Sequence, residues 1–191
     1  MKGLVFALLA APLLWALVAV AMELQSPGSA LGADPGEALV LLFGEWGLRF
    51  TLLALLLSTL QRRTPLKTVR FRRMTGLFAF TYASLHLLSY AGFLAGFSLQ
   101  GILEDLTERT YITVGFAAWL ILLALAVTST RGWQRRLQRR WQRLHRGVYL
   151  AVGLALAHLW WLTREDYTEV FVYSAIFAML LIERIVGARR A

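Results

Sequence analysis

The sequence predicts an all-α integral membrane protein, a bundle of six transmembrane helices with both termini in the cytoplasm. Of its 191 residues, 58% are hydrophobic and 16% are charged, which is too apolar for an ordinary soluble domain. Long uncharged runs are separated by loops that are alternately acidic and basic. The sequence shows no internal repeat, so residues 1–191 are interpreted as a single transmembrane domain.

Six segments are predicted to cross the membrane. A spanning helix needs about 20 mostly apolar residues, and three of the six meet that length without a charged residue. The other three are weaker: one contains Arg49, one is slightly short, and one carries Glu183 and Arg184 near its end. Tilting or snorkelling lets each of them cross. The predicted spans are residues 4–22, 45–61, 74–97, 111–129, 147–163 and 170–186.

The first apolar run follows Lys2, as it would in a secretory signal. Its length of about 20 residues exceeds the roughly 7–15 residues of a signal's apolar core. We therefore predict that this run is retained as the first helix.

The charges of the loops predict the orientation. Residues 61–73 are basic, and residues 129–146 contain seven arginines and no acidic residue, so the positive-inside rule places both segments in the cytoplasm. The C-terminal Arg189 and Arg190 belong to the same side, while the opposite loops are acidic or mixed. The net charge of +9 is thus explained by topology, and no nucleic-acid partner is predicted.

The three histidines carry the functional prediction. His86 and His158 lie inside predicted spans, where ionisable residues are costly and point to function. Each follows the cytoplasmic start of its span by 13 residues, roughly 20 Å at about 1.5 Å per residue. The two imidazoles are therefore level on parallel helices, where they can be the axial ligands of one b-type heme. Iron–sulfur clusters and thiolate metal sites are excluded because the chain has no cysteine.

A second layer is predicted near the cytoplasmic side, where His145 lies level with Arg72 and Arg73. A second heme there would need solvent, an arginine or another weak axial ligand; alternatively, the site holds a flavin or a quinone head group. An ideal helix separates His145 and His158 by about 140°, so either a kink, a tilt or a different ring orientation makes up the difference, or His145 does not bind the same stack. The arginines serve topology alone, or also bind anionic membrane lipid, a flavin phosphate or heme propionates.

Two features are predicted at the opposite, outer side. Glu45 and Arg49 are spaced i,i+4 and can pair; Arg49 either snorkels or contacts a propionate of the outer heme. Residues 102–109 form an acidic amphipathic segment, which is either simply solvated or a docking patch for an electron partner.

Three classes of function fit these features: an electron-transfer subunit, a proton or ion transporter with a histidine relay, and a membrane scaffold without a cofactor. The sequence lacks the inverted repeat or broken half-helices typical of transporters. It also lacks a Gly-rich dinucleotide-binding loop. Electrons would therefore come from a membrane-soluble donor or from a separate protein.

Short motifs along nearly the whole chain resemble one family. They are RRMTGL (72–77), YASLH (82–86), ILED (102–105), YITVGF (111–116), TST (128–130) and WQRLHRGVY (141–149), followed by His158. In these residues the chain resembles MsrQ, also called YedZ, the heme-binding membrane subunits of a periplasmic methionine sulfoxide reductase system. That family is similar to the transmembrane core of ferric reductases and NADPH oxidases.

The resemblance implies an electron-transfer subunit of the bacterial inner membrane that is not itself the methionine sulfoxide reductase. Electrons from the quinone pool, or from a flavin donor such as a cytoplasmic flavin reductase, would pass through one or two hemes b to MsrP. MsrP is a periplasmic molybdopterin enzyme that repairs oxidised methionine in envelope proteins.

The resemblance also implies the site residues. The heme ligands map onto His86 and His158, with His145 and Arg72 or Arg73 at the inner site, where FMN is an alternative or additional occupant. Two positions depart from the family pattern. Thr110 stands where proline is expected, and the oxidase relatives have a second histidine on span three where this chain has arginine.

Overall fold

The computed structural model describes residues 2–65 and 69–189, and over these ranges the chain is helical, with no strand. A π-helical turn, Tyr90–Leu94, continues the third helix. The α-helices of the described ranges are α1 (Lys2–Gln25), α2 (Pro35–Arg63), α3 (Val69–Ser89), α4 (Leu99–Glu108), α5 (Thr110–Val127), α6 (Arg131–Leu137), α7 (Arg139–His145), α8 (Gly147–Leu162) and α9 (Thr168–Arg189). We call the end of the bundle that carries α4 the outer end, and the end that carries α6 and α7 the inner end.

Five helical segments of the described ranges are long and apolar enough to cross a membrane, so the chain is a multi-pass membrane protein, as predicted. The segment predicted as the fifth span forms α8, which has 16 residues. It covers about 24 Å at about 1.5 Å per residue, against roughly 30 Å of hydrocarbon core. The five segments are Lys2–Gln25, Pro35–Arg63, Phe71–Leu94, Thr110–Val127 and Thr168–Gly187.

Most helix ends lie within a few residues of the predicted ones, and two differences from the sequence prediction are larger. Helix α2 begins at Pro35, ten residues before the predicted span, because Asp34 caps it by accepting a hydrogen bond from the Glu37 amide (2.9 Å) and proline is favoured in the first turn. The predicted basic loop 129–146 contains α6 and α7, which meet at Gln138. Lys67 and Arg190, which contribute to the predicted cytoplasmic charge, lie outside the described residues.

Helix α1 is fastened to α3 by one buried hydroxyl. The Tyr82 hydroxyl accepts a hydrogen bond from the Leu13 amide (2.8 Å) and donates one to the Leu9 carbonyl (3.0 Å). In a regular helix these two backbone groups would bond each other, so the hydroxyl is inserted into the helical ladder one residue after Pro12. Tyr82 is fully buried and packs edge-on against Phe50, with ring centres 5.2 Å apart.

Helix α9 is held against α2 by polar contacts toward both ends of the bundle. At the inner end, the Glu183 carboxylate accepts hydrogen bonds from Arg62 (2.7 Å) and Arg63 (2.9 Å). Nearer the outer end, the Arg49 guanidinium donates to the Tyr173 hydroxyl (2.8 Å). Leucine and aromatic side chains of α2, α8 and α9 pack between these contacts. Helix α2 is therefore fixed in position along its length.

The outer end is closed by the π-helical turn and α4. After the turn, Gly96 and Phe97 both have positive φ angles, 56° and 54°, and the chain reverses into the amphipathic α4. The Tyr90 hydroxyl donates to one carboxylate oxygen of Asp105 (2.5 Å), and Arg109 donates to the other (3.1 Å). The Tyr90 bond ties α4 to the outer end of the third span, whereas Arg109 and Asp105 pair within one turn at the end of α4.

Replacing Tyr82 with phenylalanine should lower the free energy of unfolding by about 1–2 kcal/mol, because the Leu13 amide and Leu9 carbonyl lose the hydroxyl that joins them. Thermal unfolding of the detergent-solubilised chain measures the effect. Tyr167→Phe, at an exposed loop position, is the control and should leave stability unchanged. Equal stability of the two variants would contradict the insertion of the Tyr82 hydroxyl into α1.

Candidate functional site

Two intramembrane histidines lie together in the outer half of the bundle. His86 is on α3 and His158 is on α8. The centres of their rings are 6.1 Å apart and their planes cross at 84°. The structure thus brings together the two residues that the depth argument paired.

The hydrogen bonds of the two rings fix their tautomers. His86 Nδ1 bonds the Val40 carbonyl oxygen (2.8 Å), and His158 Nδ1 bonds the Tyr111 carbonyl oxygen (2.6 Å). A carbonyl oxygen only accepts, so Nδ1 of a neutral imidazole in this position carries the proton. Nε2 of both rings is then the unprotonated nitrogen that can bind a metal. A second hydrogen bond from the other ring nitrogen is the usual support of a metal-binding histidine.

The separation of the rings also fits a shared metal. Two metal–nitrogen bonds of about 2.0–2.1 Å, with about 1.1 Å from each nitrogen to its ring centre, put ring centres about 6.3 Å apart. The observed distance is 6.1 Å. Two imidazoles supply the two axial ligands that a b-type heme takes from a helical bundle. The residues present therefore fit this cofactor.

Two glycines that the sequence reasoning did not single out lie directly against these rings. A Cβ atom at Gly44 would meet His86 Nδ1 at 2.9 Å, and one at Gly115 would meet His158 Nδ1 at 2.8 Å. A single glycine within an apolar helix is a signal of close approach. The sequence alone did not show which group lies against each glycine, because that depends on which helices are neighbours.

A second, more polar region lies toward the inner end of the bundle. It is a cavity of about 640 Å³ bounded by α2, α3, α5, α7 and α8. His145, Arg72 and Arg73 all line it, as the predicted inner layer required. Among the described lining residues there is no carboxylate, and the cationic ones are Lys2, Arg62, Arg72, Arg73, Arg131, Arg146 and Arg184.

His145 is held by Trp141 at the edge of this cavity. The two rings stack with centres 3.9 Å apart, and His145 Nδ1 bonds the Trp141 carbonyl (3.2 Å). Trp141 is itself anchored by its indole N–H, which donates to the Thr128 carbonyl (2.9 Å). Burial lowers the pKa of His145, and the nearby Arg72 guanidinium acts in the same direction, against the Trp141 carbonyl. These effects favour the neutral imidazole.

The sequence prediction required a kink, a tilt or a different ring orientation for His145 and His158 to face one stack. Helix α7 ends at His145 and α8 begins at Gly147, and Arg146 between them has near-helical φ and ψ angles of −69° and −19°. His145 lines the inner cavity, whereas His158 pairs with His86.

An aromatic layer, Phe80 and Trp119, lies between the histidine pair and the cavity in the order of residues along α3 and α5. Phe80 lies on α3 between the cavity residue Gly76 and His86, and Trp119 lies on α5 between Gly115 and the cavity residue Leu122. The Phe80 and Trp119 ring centres are 6.1 Å apart. Trp119 also donates its indole N–H to the Ser84 hydroxyl of α3 (3.1 Å). The sequence reasoning did not identify this layer.

Arg49 belongs to a separate cluster toward the outer end. The predicted pair with Glu45 is confirmed (2.9 Å), and the same guanidinium reaches Glu169 (3.3 Å) and the Tyr173 hydroxyl. Its centre also lies 5.1 Å from the Trp46 ring centre, a cation–π distance. Contact of Arg49 with a heme propionate stays a prediction.

Known membrane proteins are similar to this chain in sequence. Residues 39–156 match the family described as the ferric reductase like transmembrane component. This range includes His86 and His145 and ends two residues before His158. No solved structure gives a significant match to the chain.

Curated relatives match over most of their length. The chain is 50% identical to a protein of Xanthomonas euvesicatoria pv. vesicatoria over 159 residues, which are 82% of this chain and 72% of the relative. It is 48% identical to a protein of Xanthomonas oryzae pv. oryzae with the same coverage. A protein of Caulobacter vibrioides is 40% identical over 190 residues, 98% of this chain and 88% of the relative. All three are named protein-methionine-sulfoxide reductase heme-binding subunit MsrQ.

Proposed function

The chain belongs to the MsrQ family of ferric reductase-like transmembrane proteins, and we propose that it is a membrane b-type cytochrome. It would pass electrons from the inner to the outer side of the bacterial inner membrane. The observation that carries the proposal is the pair of imidazoles, 6.1 Å apart, with both Nδ1 atoms committed to backbone carbonyls.

His86 and His158 would hold the iron of the outer heme through Nε2. Heme b supplies a centre that takes up and releases one electron at a time. The Val40 and Tyr111 carbonyls would keep each ring in one tautomer and make it a stronger ligand. Because two different helix pairs hold the rings, α2 with α3 and α5 with α8, neither ring can turn without losing its hydrogen bond.

The inner cavity would receive the electrons. Its cationic lining attracts anionic groups, so it suits the propionates of a second heme or the phosphate of FMN better than a neutral quinone head group. His145 would be the ligand or contact of this cofactor, with Arg72 and Arg73 beside its anionic groups. The quinone pool, or a cytoplasmic flavin reductase, would be the donor. Anionic membrane lipid would border the basic α6 and α7.

The outer end would deliver electrons to a periplasmic molybdopterin partner, MsrP, for the repair of oxidised methionine. Exposed Glu104 and Glu108 on α4 would form part of the docking surface. The chain would thus be an electron-transfer subunit and not the methionine sulfoxide reductase itself. This arrangement requires α8 to cross as a sixth span. Because α8 is short, it would tilt little, and Arg146 and Arg164 would lie at the two membrane–water interfaces. Both termini are then cytoplasmic, and the six spans form one domain.

The absence of cysteine gives a direct test of the six-span topology. Single cysteines at Gln100 and Glu165 should react with a membrane-impermeant maleimide added to the outside of spheroplasts. A cysteine at Gln138 should react only after the membrane is opened. If the cysteines at residues 138 and 165 label from the same side, α8 does not cross and the proposed orientation of the outer heme is wrong.

His86→Ala or His158→Ala should reduce the bis-histidine heme spectrum of purified full-length protein by about tenfold or more, because each removes one axial ligand. The reduced-minus-oxidised Soret and α-band changes, divided by polypeptide, measure this. His145→Ala is the matched control and should alter only the inner cofactor. A normal bis-histidine spectrum in either of the first two variants would refute their assignment as ligands.

Arg72→Gln and Arg73→Gln should each lower the inner cofactor content by about tenfold, since a hydrogen bond to a charged group is worth roughly 1.5–3 kcal/mol. Flavin and heme per polypeptide are the quantities to measure, at low and high salt. Arg135→Gln is the control, because Arg135 is exposed and is not among the cavity-lining residues. An equal loss in all three variants would indicate a general charge effect and not a binding site.

A further inference from the structure

The same backbone arrangement lies behind each of the two intramembrane histidines. His86 bonds the carbonyl of Val40 and rests against Gly44, and His158 bonds the carbonyl of Tyr111 and rests against Gly115. In both helices the glycine follows the carbonyl residue by four positions. Residues four apart are stacked on one face of a helix, so carbonyl and glycine form one continuous surface for the ring.

The space at these surfaces leaves no room for a side chain. A Cβ at Gly44 would lie 2.9 Å from Nδ1 and 3.1 Å from Cε1 of His86, and a Cβ at Gly115 would lie 2.8 Å and 3.0 Å from the same atoms of His158. Favourable carbon contacts are about 3.5–4.0 Å. An alanine would therefore push the ring away from the carbonyl that its Nδ1 bonds.

Two other glycines of the spans are equally tight, but neither faces an imidazole: a Cβ at Gly36 would meet Phe93 at 2.7 Å, and one at Gly92 would meet Phe97 at 2.8 Å. At Gly153, on the same helix as His158, a Cβ would meet nothing within 4 Å. At Gly47, one turn along from Gly44, the nearest atom is the Ala83 backbone nitrogen at 3.3 Å, so this glycine serves the approach of two helices. The imidazole contacts are thus specific to Gly44 and Gly115.

We propose that Gly44 and Gly115 are positioning residues that set the orientation of the two axial imidazoles, each together with the carbonyl one turn before it. The inference rests on the proposed heme ligation. The planes of the two rings cross at 84°, and each plane is fixed by its own carbonyl and glycine. The ligand planes are therefore held perpendicular by groups of the protein itself.

This geometry has a spectroscopic signature. Perpendicular axial imidazoles give low-spin ferric heme a strongly anisotropic EPR signal, whereas parallel planes give a less anisotropic, rhombic one. Wild-type protein should show the strongly anisotropic signal for the heme that His86→Ala abolishes. A rhombic signal from that heme would overturn the proposed perpendicular orientation.

The variants Gly44→Ala and Gly115→Ala test the positioning role in the full-length protein. Each should replace the wild-type EPR signal and shift the midpoint potential, or lower the heme content per polypeptide by about tenfold. Gly153→Ala should leave all three unchanged. Wild-type signal, potential and heme content in both Gly44→Ala and Gly115→Ala would overturn the inference.

A double variant separates an effect on the ring from an effect on the fold. In a His86→Ala background no ring is present for the added methyl group to displace, so Gly44→Ala should no longer lower the thermal midpoint of the protein. If Gly44→Ala alone fails to accumulate, accumulation of the double variant supports the steric cause, and its continued absence refutes it.

The two proposals fail in different ways. A wild-type protein that binds no heme in heme-replete membranes would refute the proposed function. A wild-type protein with a bis-histidine spectrum, combined with unaffected glycine variants, would refute only the positioning role.

Discussion

Every other feature of the site depends on how two polar rings are accommodated inside an apolar bundle. A buried N–H needs a hydrogen-bond partner, and the hydrocarbon core of a bilayer does not supply water as one. The carbonyls of Val40 and Tyr111 provide it through a second lone pair, so neither helix loses its own backbone bond. The proton of each ring is thereby assigned to Nδ1, and Nε2 is left available as a ligand.

This solution imposes a particular packing of the helices. Helix α2 must approach α3, and α5 must approach α8, closely enough for a ring to reach a backbone carbonyl, which is possible only where the facing residue is glycine. Contacts elsewhere hold these helices in place. Tyr82 fastens α1 to α3, and Arg49 and Glu183 fasten α9 to α2. The residues far from the histidines thus maintain the spacing on which the ring pair depends.

From the sequence, the depth of the histidines along their spans was predictable, but the direction in which their side chains face around the helix axis was not. A helix in a membrane advances by about 1.5 Å per residue, so the equal offsets of His86 and His158 from basic segments were enough to place them level. Rotation about a helix axis changes with small differences in φ and ψ at each residue, such as those at Arg146 between α7 and α8, so an ideal-helix angle does not fix the relative direction of His145 and His158. The start of α2 at Pro35 was missed because the charged Glu37 and Glu45 shortened the apolar run. Gly44 and Gly115 acquire meaning only once their neighbouring helices are known.

A role of the arginines in membrane topology does not exclude a role in attracting anionic ligands. The positive-inside rule accounts for the side on which the basic segments lie. It does not require them to converge, yet Arg72 and Arg73 of α3, Arg131 of α6 and Arg146 after α7 line one cavity together with Arg62 and Arg184. Cations grouped around a concave surface with low-dielectric walls focus their field there. The cavity and the hydrogen-bonded histidine pair lie at different depths of the same bundle, with Phe80 and Trp119 between them in the order of residues along α3 and α5.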